Sequence, residues 1–483
     1  MELDDSQRYE ALRARDPRFD GLFFVGVRST GIYCRPVCSA RTPRRDRCAF
    51  FPSSVAAERE GYRACFVCRP ELAPTGAATP VSTLVANALS AIEDGALDEC
   101  RIEDLAASLS VTPRTLHRAF AREVFASPHE IAESRRLATA KRLLHDTSLS
   151  MIEVGLASGF SSLRRFNSAF ATRFGMPPSR LRRSQLRGAA HVQGATFRIR
   201  IDARPPFRAL EVVSFLASRA LAGVESFTGS SYARTLRVGT TAGAFSVRAL
   251  GERSIAAEIS ANLLPYAAKV ARVLRRLFDT DARPDVIDAH LASDAVLGPL
   301  VTKRPGLRVP GAVDTFEMCA RAVLGQRVSV ASAHTLLARL VARAGEDVQD
   351  APFGLTRLFP TASSVASLGE EGVASLGVPL VRARALVAVA RAVHEGRIGP
   401  SAREAHGALL AIPGIGPFTA GYVAMRAFAD PDAFPEGDLV LGRAFGETRS
   451  SGPALMRRVE SLRPFRAYAA LHVYTAAREG DLR

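Results

Sequence analysis

The sequence predicts a multidomain, mainly α-helical protein with two smaller regions that contain β-strands. Its 483 residues exceed the size of one ordinary hydrophobic core, which suggests three or four domains. Apolar residues recur at helical spacing over residues 82 to 187, and helical segments return from about residue 284. Between them, residues 190 to about 278 have the alternation and glycine breaks of strands and turns.

The composition excludes several classes of protein. Hydrophobic residues make up 47% and charged residues 23% of the chain, which is ordinary for a globular protein and excludes wholesale disorder. No long uncharged apolar run occurs, and the first residues are acidic, so we expect neither a membrane span nor a secretory signal. The odd count of seven cysteines favours reduced thiols and a cytoplasmic location.

The charge balance favours a polyanionic partner. Lys and Arg total 64 against 48 Asp and Glu, a formal net charge of +16, and nucleic acid comes ahead of a membrane surface. The only lysines are Lys141, Lys269 and Lys303, so nearly all the positive charge is arginine. Arginine abundance also follows the nucleotide composition of a gene, so the positive charge alone does not establish a nucleic-acid partner. Local motifs must decide whether the charge reflects DNA or RNA binding or only gene composition.

Changes in composition divide the chain into four predicted domains. Five of the seven cysteines fall within residues 1–75, and Glu71 to Pro80 has the Pro, Gly and Thr content of a linker. The predicted domains are a small α/β module, an all-α domain, a β-rich α+β domain and a second all-α domain, at residues 1–75, 82–187, 190–284 and 285–483.

Two cysteine pairs in the first domain predict a metal site. Cys34 and Cys38 are followed by Cys65 and Cys68, and two close pairs joined by a loop suit tetrahedral zinc. Four thiolates on one Zn²⁺ carry a net charge of −2, which the many nearby arginines would stabilise. A purely structural zinc site is the alternative. Cys48 lies between the pairs and is expected to be an ordinary thiol.

The runs FFVGVRSTGIYCRPVCSAR and GYRACFVCRPE, which surround these cysteines, resemble the N-terminal module of the Ada family of methyl-phosphotriester repair proteins. That resemblance implies that Cys34 is both zinc ligand and methyl acceptor, with Cys38, Cys65 and Cys68 as the other ligands. A zinc-bound thiolate stays deprotonated yet nucleophilic, and methylation removes one negative charge that would repel the DNA backbone. The module would therefore be a sensor that reacts once.

The second domain contains two helix-turn-helix patterns. In IEDLAASLSVTPRTLHRAFARE, from Ile102, Ser110 and Val111 form the turn, and Thr112 with Pro113 begins the second helix. In the second unit, from Met151, Gly159 is the turn and Ser161 with Ser162 begins a helix. Residues 154 to 187 contain seven arginines and no acidic residue. A merely solvated basic helix is the alternative.

The ending GFSSLRRFNSAFATRFGMPPSRLRR resembles the AraC-type DNA-binding domain. The resemblance implies two recognition helices in successive major-groove faces. The side chains expected to face DNA are Arg114, Thr115, Arg118, Ser162, Arg164 and Asn167.

A helix-hairpin-helix pattern occurs in LLAIPGIGPFTAGYVAM, from Leu409 to Met425. Gly414 and Gly416 permit a tight turn and let backbone N–H groups approach a phosphate. The hairpin carbonyls could also bind a monovalent cation. Because a single Gly-x-Gly is a weak signal, a structural loop is the alternative.

Asp438 follows the hairpin at a spacing that resembles the helix-hairpin-helix DNA glycosylases. The stretches RPGLRVPGAVDTFEMCARAVLGQRVSVASA and LGVPLVRARAL extend the likeness to the AlkA family of 3-methyladenine DNA glycosylases over residues 190–483. The resemblance implies that Asp438 is the catalytic carboxylate, which stabilises oxocarbenium character at C1′ while an alkylated, cationic base leaves. Phe418, Tyr422 and Tyr474 are expected to contact the flipped base, with core packing as their alternative role.

The sequence departs from that family in several places. It has no Trp, so Phe418 replaces the pocket tryptophan of the family, and the pair Gln326 and Arg327 stands where an apolar wedge commonly enters DNA. No lysine follows Lys303, which excludes the Schiff-base chemistry of bifunctional relatives. No cysteine follows Cys319, which excludes the four-cysteine iron–sulfur loop of other relatives. Three nearby carboxylates compete with Asp438 and are expected to be turn or loop residues: Asp430, Asp432 and Glu436.

Together these resemblances imply an adaptive-response protein of the bacterial cytosol: a monofunctional DNA glycosylase that hydrolyses N-glycosidic bonds of alkylated bases, fused to a zinc-containing methyl sensor and transcription regulator. The alternative is a methylation-activated regulator whose C-terminal half binds damaged DNA without turnover. The expected cofactor is one zinc ion, and the expected partners are alkylated double-stranded DNA, promoter DNA and RNA polymerase, with no membrane. We expect association with the nucleoid when the protein is bound to DNA.

Overall fold

The computed structural model describes residues 3–74, 82–93, 95–146, 149–185, 196–399, 401–446 and 452–481. These residues form two compact units, Met1–Arg204 with Glu258–Arg272, and Pro205–Ala257 with Val273–Arg483. Most of the expected linker, residues 75–80, and the expected boundaries at residues 75, 187 and 190 lie outside the described residues, so the four domain limits stay a prediction. No described helix has the length and apolar character needed to cross a membrane.

The first unit begins with a small α/β module. Its helices are α1 (Asp5–Ala14) and α2 (Ser54–Arg59), and its strands are β1 (Phe24–Val27), β2 (Ile32–Cys34), β3 (Cys48–Phe51) and β4 (Arg63–Ala64). The strands form one sheet in the order β3-β1-β2-β4. Strand β1 is antiparallel to β2 and β3, whereas β2 and β4 are parallel. The parallel pair brings the two cysteine loops to the same end of the sheet.

Eight helices follow in the same unit, and they confirm the double helix-turn-helix arrangement. They are α3 (Thr83–Glu93), α4 (Ala96–Glu99), α5 (Ile102–Ser108), α6 (Pro113–Glu123), α7 (Pro128–Asp146), α8 (Met151–Ala157), α9 (Leu163–Phe174) and α10 (Pro178–Gln185). Thr112 caps α6 and Ser162 caps α9 through side-chain oxygens that accept backbone N–H bonds. Gly159 has φ +87, the left-handed turn that glycine adopts without strain.

The remaining strands are β5 (Thr196–Asp202), β6 (Glu225–Thr228), β7 (Ser231–Val238), β8 (Thr241–Ala249) and β9 (Ser254–Ser260), in the order β5-β9-β8-β7-β6. Strands β6, β7 and β8 are antiparallel neighbours, with Glu225 opposite Arg234 and Val238 opposite Thr241. The β-rich region that the sequence predicts is therefore present.

The other helices are α11 (Ala209–Ala217), α12 (Ala267–Phe278), α13 (Pro284–Leu291), α14 (Leu297–Lys303), α15 (Thr315–Leu324), α16 (Val330–Ala344), α17 (Ala362–Ala374), α18 (Leu380–His394), α19 (Ala402–Leu410), α20 (Pro417–Ala427), α21 (Leu439–Ala444), α22 (Gly452–Arg458) and α23 (Arg466–Glu479). Short 3-10 segments lie at Pro17–Phe19, Arg45–Arg47, Pro70–Leu72, Ala261–Tyr266, Pro352–Gly354 and Glu460–Leu462. These elements confirm the predicted fold class.

Helices α19 and α20 form the predicted hairpin, and α20 lies between two apolar clusters of the second unit. Val423 packs in one cluster with α15 and α18, whereas Met425 packs in the other with α14 and α23. On the same helix, Gly421 meets the chain that leads to Asp438: a Cβ there would lie 2.2 Å from the carbonyl oxygen of Phe434. Glycine at this position therefore sets how closely that chain approaches the hairpin.

We predict that Gly421→Ala destabilises the second unit by about 1–3 kcal/mol, because the added methyl group would force α20 away from a backbone carbonyl. The matched control is Gly407→Ala in α19, where an added Cβ meets nothing within 4 Å. That change should stabilise its helix by about 0.5–1 kcal/mol. Calorimetric unfolding temperatures check both, and equal stability of the two variants would contradict the close approach.

Candidate functional site

The predicted cysteine pairs converge on one cluster in the first unit. Cys34 ends β2, Cys65 follows β4, and the backbone N–H of Cys65 donates to the Tyr33 carbonyl at 3.0 Å. The Sγ atoms of Cys34, Cys38, Cys65 and Cys68 all lie within 4.8 Å of one another. Four sulfur donors at this spacing fit tetrahedral zinc, so the donor set agrees with the predicted metal.

The four sulfur atoms differ in their hydrogen bonds. The backbone N–H of Arg35 donates to Cys68 Sγ at 3.4 Å, and that of Val67 donates to Cys65 Sγ at 3.3 Å. Among the described residues, no backbone N–H donates to the Sγ of Cys34. Because such bonds stabilise negative charge on sulfur, they stabilise the thiolates of Cys65 and Cys68 in a way that the Cys34 thiolate lacks. Cys48 lies outside the cluster, and its thiol donates to the Arg44 carbonyl at 3.3 Å.

The predicted DNA-facing side chains lie on the outer faces of α6 and α9. Buried Leu116 and Phe166 anchor the inner faces of these helices, and Thr115 is half-buried against the Thr112 cap. The other five side chains are exposed: Arg114, Arg118, Ser162, Arg164 and Asn167.

The second unit contains a cavity of about 790 Å³ that Phe418, Tyr422, Tyr474 and Asp438 line. Phe418 and Tyr422 are one turn apart on α20, with ring planes 6° from parallel and centroids 6.0 Å apart. The structure therefore brings all three predicted aromatic residues and the predicted carboxylate to one place. Flat, parallel rings offer π faces to a planar ligand.

The position of Asp438 is fixed by the helix that follows it. Its Oδ1 accepts hydrogen bonds from the backbone N–H groups of Val440 at 2.8 Å and Leu441 at 2.9 Å, which makes Asp438 the N-cap of α21. The side chain is half-exposed and borders the cavity. Since the cap uses Oδ1 alone, the second oxygen takes no part in holding the helix.

Tyr474 places a hydroxyl group near this carboxylate. Burial raises the pKa of Tyr474 above its usual value, and the negative charge of Asp438 raises it further. The Tyr474 hydroxyl is buried, and its interaction with Asp438 contributes to this shift. Tyr474 therefore stays protonated at neutral pH, with a donor in the wall of the cavity.

Sequence reasoning missed other residues of the cavity wall. Arg426, one turn beyond Tyr422, donates from Nη1 to the Tyr422 hydroxyl at 2.7 Å and from Nη2 to the Gly311 carbonyl at 3.3 Å. Its guanidinium carbon also lies 4.6 Å from the ring centroid of Phe215, a residue of α11. The i, i+4 spacing of Tyr422 and Arg426 was a usable signal. Nothing in the sequence pattern indicated Phe215.

The hairpin differs in detail from the expectation. Gly414 has φ +90 and requires glycine, whereas Gly416 has an extended backbone and caps α20 without needing one. Gln326 Nε2 donates to the Gly414 carbonyl at 3.2 Å and to Thr419 Oγ1 at 2.9 Å. This partly exposed amide therefore supports the hairpin. Arg327, at φ +52, is the exposed member of the pair.

The competing carboxylates have other contacts. Asp432 accepts from Arg463 at 2.9 Å and from two nitrogens of Arg466 at 2.8 Å. Asp430 Oδ1 accepts the backbone N–H of Asp432 at 2.9 Å, as a turn residue does. Glu436 is not among the residues that line the cavity. Of the four candidates, only Asp438 borders the aromatic rings.

A buried ion network forms another part of the cavity wall. Glu317 in α15 accepts from Arg234 at 2.7 Å and from Arg321 at 2.8 Å, and Arg321 also donates to Glu225 at 2.6 Å. Burial by itself would raise the pKa of Glu317. The charges and hydrogen bonds of the two arginines outweigh burial and lower the pKa to about 2.

Comparison with protein families gives four matches along the chain. The metal-binding domain of Ada matches residues 7–71, and a helix-turn-helix domain matches residues 105–184. The AlkA N-terminal domain matches residues 198–314, and the helix-hairpin-helix superfamily of base excision DNA repair proteins matches residues 320–462. Fold and site thus define a class: a helix-hairpin-helix base excision repair protein that also contains a metal-binding module and a helix-turn-helix domain.

Similar proteins agree over nearly the whole chain. A Mycobacterium tuberculosis H37Rv protein named a probable bifunctional transcriptional activator/DNA repair enzyme AlkA is 37% identical over 98% of this chain and 96% of its own. The DNA-3-methyladenine glycosylase 2 of Escherichia coli K12 is 37% identical over 56% of this chain and 94% of its own. The chain belongs to the family of bifunctional AlkA-type transcriptional activators and DNA repair enzymes.

A solved structure shares the fold of part of the chain. The 3-methyladenine DNA glycosylase of Archaeoglobus fulgidus aligns with a TM-score of 0.51 and 23% identity, over 59% of this chain and all of that chain.

We predict that Glu317→Gln lowers the stability of α15 at pH 7 by about 3 kcal/mol, because it leaves buried arginines short of a charged partner. The loss should shrink as the pH falls from 4.5 towards 2, since the unsubstituted carboxylate is then protonated as well. Hydrogen exchange of the α15 amides measures this.

The matched control is Glu346→Gln, whose partner Arg237 forms an ion pair in which Glu346 is 56% exposed. That change should cost less than about 1 kcal/mol at any pH. A loss at Glu317 that is independent of pH would contradict the ionised network.

Proposed function

We propose that the second unit excises alkylated bases such as 3-methyladenine from DNA by hydrolysis of the N-glycosidic bond. The observation that carries this proposal is the Asp438 carboxylate, fixed beside stacked aromatic rings at a cavity large enough for a flipped base. The similarity to the Escherichia coli protein supports it, as that protein is named a DNA-3-methyladenine glycosylase. The cavity is the site of reaction in this proposal, and the hairpin grips the DNA backbone.

Each side chain has a separate task in the reaction. An everted base would lie against the faces of Phe418 and Tyr422, which suit an electron-poor ring. As the bond from C1′ to the base nitrogen breaks, its electron pair goes to the base and positive charge develops on the sugar. The Asp438 carboxylate stabilises that charge and orients a water molecule, which adds to C1′ and gives up a proton to this carboxylate. Since the base already carries positive charge, it leaves without a strong acid.

We further propose that Cys34 accepts a methyl group from a methylated backbone phosphate. Its sulfur attacks the methyl carbon, the C–O bond breaks, and the electron pair stays with the phosphate oxygen, which restores the anionic diester. Zinc held by Cys34, Cys38, Cys65 and Cys68 would keep the thiolates deprotonated near neutral pH. Among the described residues, backbone N–H groups donate to the sulfurs of Cys65 and Cys68 but not to that of Cys34, which supports Cys34 over those two as the reactive member.

We propose that the helix-turn-helix residues bind promoter DNA and that methylation of Cys34 strengthens this binding by removing a negative charge. Activation would then bring RNA polymerase to the promoter. Regulation without turnover is the second candidate function, and the exposed basic faces of α6 and α9 favour a regulatory role. The site at Asp438 adds catalysis to that role, so the two functions are compatible. We also propose that the hairpin carbonyls bind a monovalent cation.

We predict that Asp438→Asn lowers release of 3-methyladenine by about 100-fold or more, because the amide cannot stabilise the charge on the sugar. The fold should survive, since an asparagine oxygen still caps α21. Chromatography of bases released from methylated DNA measures the rate, and Glu436→Gln is the control. Normal excision by the Asp438 variant would exclude this residue as the catalytic carboxylate.

We also predict that Cys34→Ser abolishes methyl uptake from DNA that contains methyl phosphotriesters while leaving base release within about twofold. Peptide mass spectrometry locates the methyl group, and Cys48→Ser, outside the cluster, should react like the unsubstituted chain. Methyl uptake at the usual rate by the Cys34 variant would mean that another thiol is the acceptor.

A further inference from the structure

Arg35, the residue after Cys34, is buried although it is charged, with an exposed fraction of 5%. Its guanidinium forms an ion pair with Asp20, in which Nε lies 2.8 Å from Oδ1, and a second with Asp202, in which Nη1 lies 2.9 Å from Oδ2. The same Nη1 donates to the Cys68 carbonyl at 3.2 Å. Together with the backbone bond to Cys68 Sγ, Arg35 contacts the metal site through both its backbone and its side chain.

The two carboxylates come from distant parts of the sequence. Asp20 lies in the range that matches the metal-binding domain of Ada, whereas Asp202 ends β5, in the range that matches the AlkA N-terminal domain. Both are buried, with exposed fractions of 5% and 8%. Asp202 is itself oriented, because its Oδ1 accepts from Arg200 Nε at 2.7 Å.

A second arginine ties the same segment to the loop around Asp20. Arg204 is fully buried and donates to the Asp20 carbonyl at 2.9 Å and to the Pro74 carbonyl at 3.3 Å. Beside it, Gly21 has φ +75, and a Cβ there would lie 2.1 Å from the Pro74 carbonyl oxygen. The end of β5 is therefore joined to the cysteine module by charged and polar contacts that leave little room for movement.

Buried ion pairs of this kind contribute little net stability to the folded state by themselves. Buried ion pairs lose hydration that their mutual attraction only partly restores, and apolar replacements of similar size are often as stable. Groups that orient metal ligands from behind, in contrast, commonly set metal affinity and ligand geometry. Because Asp20 and Asp202 hold Arg35, and Arg35 donates to Cys68, the two carboxylates help to orient this metal ligand.

We propose that Asp202 is a positioning residue of the four-cysteine site: it holds Arg35, and Arg35 holds Cys68 in the cluster that contains Cys34. A residue of the glycosylase-like part of the sequence thereby sets the geometry of the methyl acceptor. The effect on methyl transfer rests on the proposed function of Cys34, whereas the effect on metal retention does not.

The test compares Asp202→Asn with the unsubstituted full-length protein, each loaded with one zinc ion. Three quantities are measured: zinc release to a chromophoric chelator, the rate of methyl uptake on Cys34, and release of 3-methyladenine. We expect zinc release to quicken by about 10-fold or more and methyl uptake to slow, while base release stays within about twofold. The control is Glu258→Gln, which removes the ion pair of Glu258, in β9, with Arg198, in the same strand β5 as Asp202.

A double-substitution cycle separates positioning from general stability. If Asp202 acts through Arg35, adding Asp202→Asn to Arg35→Gln should change zinc release no further than Arg35→Gln alone. Additive effects, or unchanged zinc release in Asp202→Asn, would overturn the proposal. Faster zinc release accompanied by an equal slowing of both methyl uptake and base release would also overturn it, because Asp202 would then be a general structural residue.

The outcomes also keep the two proposals apart. If zinc release responds to Asp202→Asn but even the unsubstituted protein takes up no methyl group, positioning of the metal site stands and the methyl-acceptor function fails.

Discussion

Two backbone N–H groups at the start of α21 bind one oxygen of Asp438, and the proposed base excision depends on this contact. It fixes the carboxylate before any substrate arrives, so no reorganisation is needed as charge develops on the sugar. The chain that carries Asp438 is in turn set by Gly421, which lets α20 approach the carbonyl of Phe434. The helix that supplies Phe418 and Tyr422 thus also determines where the negative charge lies.

In the first unit, a comparable set of contacts positions the four cysteine sulfurs. Parallel pairing of β2 with β4 brings two short cysteine loops together, and backbone N–H groups donate to Cys65 and Cys68. Arg35 then joins the cluster to two buried carboxylates. In the first unit, backbone hydrogen bonds and buried charges therefore hold the cluster that contains Cys34, whereas in the second unit backbone hydrogen bonds hold the proposed catalytic carboxylate of Asp438.

The sequence predicted the parts of these sites that are encoded locally. Cysteine spacing, the Thr112 and Ser162 caps and the hairpin glycines each depend on neighbours within a few residues, so their patterns are visible in one chain. Tertiary packing decides the rest. Phe215 lines the cavity from α11, Gln326 bonds to the hairpin from just after α15, and Asp202 reaches the cysteine module from more than 160 positions away. No local sequence pattern encodes contacts between residues this far apart. The family resemblance identified Asp438 as the candidate residue but did not predict its contacts.

The most direct test of the account is the affinity for two abasic-site analogues in duplex DNA, one with a cationic ring nitrogen near the position of C1′ and one with a neutral ring. The unsubstituted protein should bind the cationic analogue more tightly, and Asp438→Asn should remove that preference without weakening binding to the neutral one. An unchanged preference in the variant would mean that the carboxylate does not face the sugar, which would contradict the account at its centre.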